Sequence, residues 1–243
     1  MKFEIKNKWT GVILFSMETD SFRTCVEAAR AGLGYADLGY VNLSFADLGG
    51  AKLTGAKLTG ANLKAANLRG ADLGGANLKA ANLRGVDLRY ANLSHAHLKG
   101  ANLRGANLTD ANLTGADLTD TDLGGADLGY VNLEAANLGN VREDFLSVLD
   151  SSPTEVPGLR KAIVDGRIDG SSYEGDCACL VGTIAKVRGC DYRVIPNLTP
   201  DSLRPAERFF LGIHIGDTPE TNQVSALALK WLDKWTRARA DGR

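Results

Sequence analysis

From Ala31 to Asn140 a leucine falls at every fifth residue, from Leu33, Leu38 and Leu43 through to Leu128, Leu133 and Leu138, in 22 units without a break in register. The residue two before each leucine is Ala except at Val41, Val86, Thr121 and Val131, and Asn or Asp commonly separates the two. Repetition of this kind decides the architecture before length does, because a five-residue unit can bury its apolar face only against neighbouring units. A helix is excluded: steps of five residues advance each leucine by about 140° and scatter the set around the cylinder, so no apolar stripe forms. The Gly, Asn, Asp and Thr between the leucines are also poor helix formers.

In extended backbone, residues two apart share a face, so Ala36 and Leu38 point inward together while Asp37 and Gly39 point outward. Five is odd, so a corner in every unit is needed to restore the phase. The variable pair, often ending in Gly as at Gly55, Gly60, Gly70 and Gly75, is its expected place. The chain then winds as a coil of short sides around a leucine column, each coil bonded to the next about 4.8 Å away.

Units such as Ala61-Asn62-Leu63-Lys64-Ala65 and Ala101-Asn102-Leu103-Arg104-Gly105 resemble the pentapeptide-repeat family. The resemblance implies a mainly β fold: a right-handed quadrilateral β-solenoid with four units per coil, hence about 5.5 coils and a rod roughly 25 Å long at sheet spacing. With four units per coil, residues twenty apart stack. Lys64, Arg84 and Arg104 then form one row, Arg69 and Arg89 a second, and Lys79 with Lys99 a third.

The whole chain is near neutral, with 28 Lys and Arg against 29 Asp and Glu. The charge is nonetheless segregated. Residues 51 to 105 hold nine Lys and Arg and two acids, a net of +7, whereas residues 106 to 140 hold six acids, among them Asp117, Asp122 and Asp127, and no Lys or Arg. Those two zones supply the candidate partner-binding residues: Lys64, Arg84, Arg104, Arg69 and Arg89 on the basic side, Asp117, Asp122 and Asp127 on the acidic one.

Three segments are expected: residues 1–30 as an N-terminal β-hairpin and helix cap, 31–140 as the solenoid, and 141–243 as an α-rich C-terminal domain. In the first, Lys2 to Lys6 alternates apolar and charged residues, Asn7 to Gly11 turns, Val12 to Met17 returns, and a helix runs from about Ser21 to Ala29, capped by Asp20 or Ser21. An open solenoid end would template aggregation, which is the reason to expect a cap. In the third, helices are expected at about 141–150, 154–165, 175–188, 200–210 and 219–239. The last carries Val224, Leu227, Trp231 and Trp235 at helical spacing, and Phe209 to Ile215 has a strand as its alternative.

Cys177, Cys179, Cys190 and His214 are of zinc-ligand type, but a C-x-C pair on a helix points its thiols apart and does not make a zinc knuckle, so buried structural thiols and no metal are expected. His95 and His97 fall on the outer surface of the coils as solvated side chains. No phosphate-cradling glycine fingerprint occurs, and no cofactor is expected. The first residues carry charge, and Val12 to Phe15 is too short for a signal or a membrane span, so the expectation is a cytoplasmic protein without a membrane partner.

A leucine-filled coil leaves no cleft, and catalysis needs convergent groups in a concave, water-poor site. The expected function is therefore a non-catalytic binding or scaffold protein that presents a charged rod to a macromolecular partner, most naturally a protein. Homodimerisation, direct nucleic-acid binding through the Lys64 row, and an enzyme or metal site in the C-terminal domain are the alternatives. A further one comes from the resemblance, whose best-understood members mimic B-DNA and inhibit DNA gyrase. The basic midsection departs from that pattern, and only the acidic stretch from Asp117 to Asp127 follows it. Replacing a mid-column leucine, Leu83→Asp, places an unpaired charge inside the column and is expected to cost about 3–5 kcal/mol in urea denaturation; near-neutral stability would refute the leucine column.

Overall fold

The computed structural model describes residues 1–170, 179–191, 198 and 205–241. They fall into two compact units, Met1–Asp127 with Val131–Leu138, and Leu128–Tyr130 with Gly139–Arg243.

The first unit is wound in the five-residue register. Seventeen parallel bridges join the second residue of one repeat to that of the repeat twenty residues on, from Asp37 with Lys57 to Asp117 with Asn137. The repeats of the middle coils make the same backbone bonds. For the unit at Ala61, Asn62 N donates to Val41 O at 2.9 Å, Leu63 N to Asn82 O at 2.8 Å, Ala65 N to Arg84 O at 2.9 Å and Ala66 N to Leu63 O at 3.0 Å. The first three run between coils and the last closes the corner. All 22 unit leucines are buried, none more than 4% exposed. Thr121, which replaces the usual Ala, satisfies its hydroxyl by donating to Leu98 O at 2.9 Å.

The corner is a four-residue turn whose third residue, the fifth of the repeat, has positive φ, the sign a type II turn requires. Every fifth residue from Tyr35 to Tyr130 and Ala135 obeys this, eleven of them non-glycine with φ between 51° and 61°. Each such residue costs on the order of 1 kcal/mol relative to its relaxed backbone, so the regular inter-coil bonds hold eleven corners in a conformation their side chains resist.

The N-terminal residues meet the unpaired amides of the first coil. β1 (Lys2–Lys6) and β2 (Ile13–Glu18) pair antiparallel with a bulge after Ile5. Asp37 N then donates to Lys6 O at 2.8 Å and Lys8 N to Tyr35 O at 2.9 Å. α1 (Phe22–Ala28) starts at Ser21, whose hydroxyl accepts from Thr24 N. The residues on and after it take the other sides of the coil: the Glu27 carboxylate accepts from Asp47 N at 2.9 Å, Arg30 O accepts from Lys52 N at 2.8 Å, and the Arg23 guanidinium donates to Ser44 O at 3.0 Å. Regular coils begin one unit later than the repeat, because Arg30–Gly32 forms a 3-10 turn. At the other end Gly139 and Asn140 already belong to a helix.

In the second unit, α2 (Gly139–Ser151), α3 (Val156–Val164), α4 (Leu180–Arg188), α5 (Pro205–Phe210) and α6 (Gln223–Asp241) surround an aromatic cluster of Phe145, Phe209, Phe210 and Trp231, with ring centroids 5.6–6.0 Å apart. The expected helices at 175–188 and 200–210 start outside the described residues, and their described parts are α4 and α5. The last helix begins four residues later than expected: the Asn222 side-chain oxygen takes Val224 N and Ser225 N at 2.8 and 3.1 Å, while Thr218 and Thr221 bond each other in a turn before it. Phe209 and Phe210 are helical and Leu211 to Ile215 turns, so the strand alternative does not hold.

Glycine corners separate two costs. Gly70, at φ 65°, has no atom within 4 Å of where a Cβ would stand, whereas at Gly60, φ 64°, the Tyr40 ring lies 2.5 Å from that point. Gly70→Ala is expected to lose about 1 kcal/mol and Gly60→Ala measurably more. In a Tyr40→Ala background the two losses should become equal in urea denaturation.

Candidate macromolecule-binding surface

The fourth residue of each repeat follows the buried leucine and stands outward, and the cations of the midsection occupy that position. Lys64, Arg84 and Arg104 are all exposed. The bridges of Asn62 with Asn82 and Asn82 with Asn102 set them in one column. Among the described residues no carboxylate pairs with any of the three. Arg69 lies 5.3 Å from the centre of the Tyr90 ring, close enough for a cation–π contact. Arg89 is spent differently: its guanidinium grips Asp87 with bonds of 2.6 and 2.9 Å, which holds the Asp87 carboxyl below the usual carboxylate range.

The three acids expected on the acidic side sit at the second position instead, as rungs between coils. Asp117 accepts from Thr119 N and its hydroxyl at 3.1 and 2.6 Å, a bond that lowers its pKa. Asp122 accepts from Gly124 N at 3.0 Å, and Asp127 from the Thr109 hydroxyl at 3.1 Å. Asparagine does the same work elsewhere in the rungs, as where Asn62 Oδ1 accepts from Lys64 N at 3.2 Å. The acidic zone is thus partly structural, and among the described residues no hydrogen bond or ion pair of the basic column explains its side chains. Position within the repeat, fourth against second, is the sequence signal that separates them.

His95 and His97 are exposed, and the His95 ring lies against Gly115. Cys25 is buried, and burial raises its pKa. Burial pushes the Cys179 thiol up to about 11, and its sulfur caps α4 by accepting from Gly182 N at 3.5 Å. Cys190 is half-buried, His214 is exposed and pairs with Asp217 at 3.6 Å, and Cys177 lies outside the described residues. Among the described residues no group of three His, Cys, Asp or Glu is arranged to hold a metal ion, and no helix is long and apolar enough to cross a membrane.

In the second unit a groove of about 490 Å³ is lined by Pro153, Val156, Pro157, Trp235, Thr236 and Arg239. Its polar groups are committed: Trp235 Nε1 and the Arg239 guanidinium both donate to Asp150, at 2.8 and 2.7 Å. Val224, Trp231 and Leu232 of α6 are buried in this unit. Val224 and Trp231 of the apolar stripe are therefore internal packing, while Leu227 and Trp235 are half-buried.

The chain belongs to the pentapeptide-repeat family. The family model for pentapeptide repeats (8 copies) matches residues 36–75, 66–105 and 106–142. Among solved structures, a pentapeptide repeat protein from Nostoc PCC 7120 is 34% identical, covering 51% of this chain and 91% of that one with a TM-score of 0.24. HetL, a pentapeptide repeat protein involved in heterocyst differentiation regulation from Nostoc sp. strain PCC 7120, is 34% identical over 43% of this chain, with a TM-score of 0.28. The chain spans 66% of HetL, just under two thirds of that protein. Full-length QnrB1, a plasmid-mediated fluoroquinolone resistance protein, is 17% identical over 46% of this chain and 84% of its own, with a TM-score of 0.25. No curated protein sequence matches the chain.

Among the described residues of the second unit, the largely buried Arg188–Glu155 ion pair is one whose loss is readable. Arg188 Nε donates to Glu155 Oε1 at 2.7 Å, and that bond holds the Glu155 carboxyl below its usual range. A depressed folded-state pKa contributes stability above the unfolded value of about 4.3, and the contribution disappears as pH falls through the folded value. Arg188→Met leaves the carboxylate buried and unpaired, an expected loss of about 3 kcal/mol at neutral pH. The gap to the wild type should narrow on acidification, as Glu155 protonates in the variant first; a pH-independent gap would remove the ion pair as its cause.

Proposed function

We propose that this protein is a non-catalytic binding or scaffold protein that presents the charged outer surface of its solenoid to a macromolecular partner, most naturally a protein. One observation carries the reading: the Lys64, Arg84 and Arg104 column is exposed, stacked and unpaired in a coil whose interior is filled with leucine. Stacked like charges at sheet spacing cost stability, and a partner of opposite charge offsets that cost and steers its own approach. The coil interior leaves no cleft for substrate, and the groove beside Trp235 has its one charged lining residue, Arg239, tied to Asp150. The right-handed, quadrilateral winding, the capping role of residues 1–30 and the boundaries 31–140 and 141–243 belong to the same proposal.

Arg69 and Arg89 flank the column and contribute to its field, Arg89 less because Asp87 neutralises it. Asp117, Asp122 and Asp127 have a lesser part in partner binding, since each already accepts a bond within the coils. The gyrase-directed reading needs an acidic rod, and the exposed column of the midsection is basic.

Affinity capture from host lysate with the full chain is expected to retain a macromolecular partner at about 0.1 M salt and to release it as screening increases toward about 1 M. A partner that resists high salt would place binding on apolar surface instead. Absence of any retained macromolecule would overturn the proposal.

A further inference from the structure

We infer that one side of the solenoid, the one carrying the rungs Asn42, Asn62, Asn82 and Asn102, is the docking face, and that it takes an acidic protein segment with an apolar residue at one end. The inference rests on the binding role proposed above and adds the face and the chemistry of its occupant.

The twenty-residue register assigns that side. Its rungs are bridged in sequence, Asn42 to Asn62, Asn62 to Asn82 and Asn82 to Asn102. Two residues beyond the last three rungs stand Lys64, Arg84 and Arg104. The corners bounding the column are small: Gly60, Ala80 and Gly100 on one edge, Ala65, Gly85 and Gly105 on the other. A partner's backbone therefore meets no side-chain wall. The rung amides are available at half capacity: Asn62 donates one N–H to Asn42 Oδ1 at 3.1 Å, and Asn82 one to Asn62 Oδ1 at 3.0 Å. The second N–H of each amide is left for a carbonyl or carboxylate.

At the N-terminal end of the same two edges the corner residues change from small to aromatic. Tyr40 is 79% exposed and Phe45 is 67% exposed. Tyr40 lies along its edge over Gly60, where a Cβ would be 2.5 Å from the ring. Large exposed aromatics are enriched in interface cores, and these stand one coil step from Lys64. Two units further round the coil the arrangement is absent: the fourth positions there are Thr54, Gly74, Ser94 and Thr114. Asp72 on that side is engaged by the Thr54 hydroxyl at 2.7 Å and the Asn92 amide at 2.9 Å. The solenoid is thus polar around its circumference as well as along its axis.

Charge complementarity selects an acidic occupant. The aromatics select a protein segment over a single-stranded nucleic acid, which is held by aromatic platforms distributed along the basic track so that successive bases stack. Here they stand at one end only, with Gly and Ala between the cations. From the coil of Tyr40 and Phe45 to that of Arg104 is three coil steps, about 14 Å at sheet spacing, the reach of about four extended residues.

The test is fluorescence anisotropy of the full chain with a fluorescein-labelled peptide of one leucine followed by four glutamates. Lys64→Glu/Arg84→Glu/Arg104→Glu is expected to weaken binding at least ~10-fold. Lys230→Glu/Lys234→Glu/Arg237→Glu, with the same change in net charge, should leave it unchanged within ~2-fold. Tyr40→Ala/Phe45→Ala should weaken the leucine-bearing peptide and leave an all-glutamate peptide unaffected. Circular dichroism checks folding, and the corresponding glutamine triple replaces the glutamate one if that variant does not fold. Equal weakening by both triple variants would reduce the effect to net charge and overturn the face. Preferential binding of an oligothymidylate over the peptide would overturn the occupant. Lysate capture that survives the Lys64, Arg84 and Arg104 substitutions would refute this face while leaving the binding role intact.

Discussion

The ladder of backbone hydrogen bonds between coils, closed once every twenty residues, is the interaction on which the first unit depends. It works only if every repeat turns a corner at the same place, and every corner demands a residue at positive φ. Glycine meets that demand at Gly60 or Gly70 without strain. Tyr35, Tyr40, Phe45, Tyr90, His95 and Tyr130 meet it against the preference of an L side chain. Because the ladder and the leucine column supply the compensating stability collectively, the corners are free to carry side chains chosen for other reasons. The exposed aromatics of the first coil are the visible result.

The same geometry sorts charge by position. A second-position side chain stands beside the backbone amide two residues on and beside the rung of the next coil, so Asn or Asp there is drawn into the structure, as Asn62, Asp72 and Asp117 are. A fourth-position side chain stands clear of the rungs unless it reaches back to one, as Arg89 does to Asp87 and Thr119 to Asp117, and the Lys64, Arg84 and Arg104 side chains do not. Lys64, Arg84 and Arg104 therefore keep their charge for whatever approaches from outside, and the acids of the rungs do not oppose them equally. A near-neutral chain in this way presents a basic column.

The flanks show how differently two kinds of segment can be read. The hairpin, the helix at Ser21 and most helices of the second unit follow from alternation, caps and spacing, signals local enough to survive in sequence. The start of the last helix escaped because Thr218-Pro219 and Asn222 are both plausible caps, and the choice went to Asn222 through its bonds to Val224 and Ser225. That Glu27 and the carbonyls of Lys6 and Arg30 would meet the open amides of the first coil, and Arg23 the carbonyl of Ser44, leaves no local trace, because each partner lies about twenty residues or more along the chain.

What the sequence by itself determined is the repeat: a five-residue period cannot be a helix, its leucines must face one another, and its corners must fall on the variable pair. Even the Lys64, Arg84 and Arg104 row follows once four units per coil are granted. Only the tertiary structure decided which of the charges are free. The grip of Arg89 on Asp87 and of Asp122 on the Gly124 amide lies within one repeat, whereas the bond of Thr109 to Asp127 and the edges that Tyr40 and Phe45 share with the basic column depend on contacts across coils. Periodicity places a residue on a face; the hydrogen bonds its neighbours already make settle what it has left to offer.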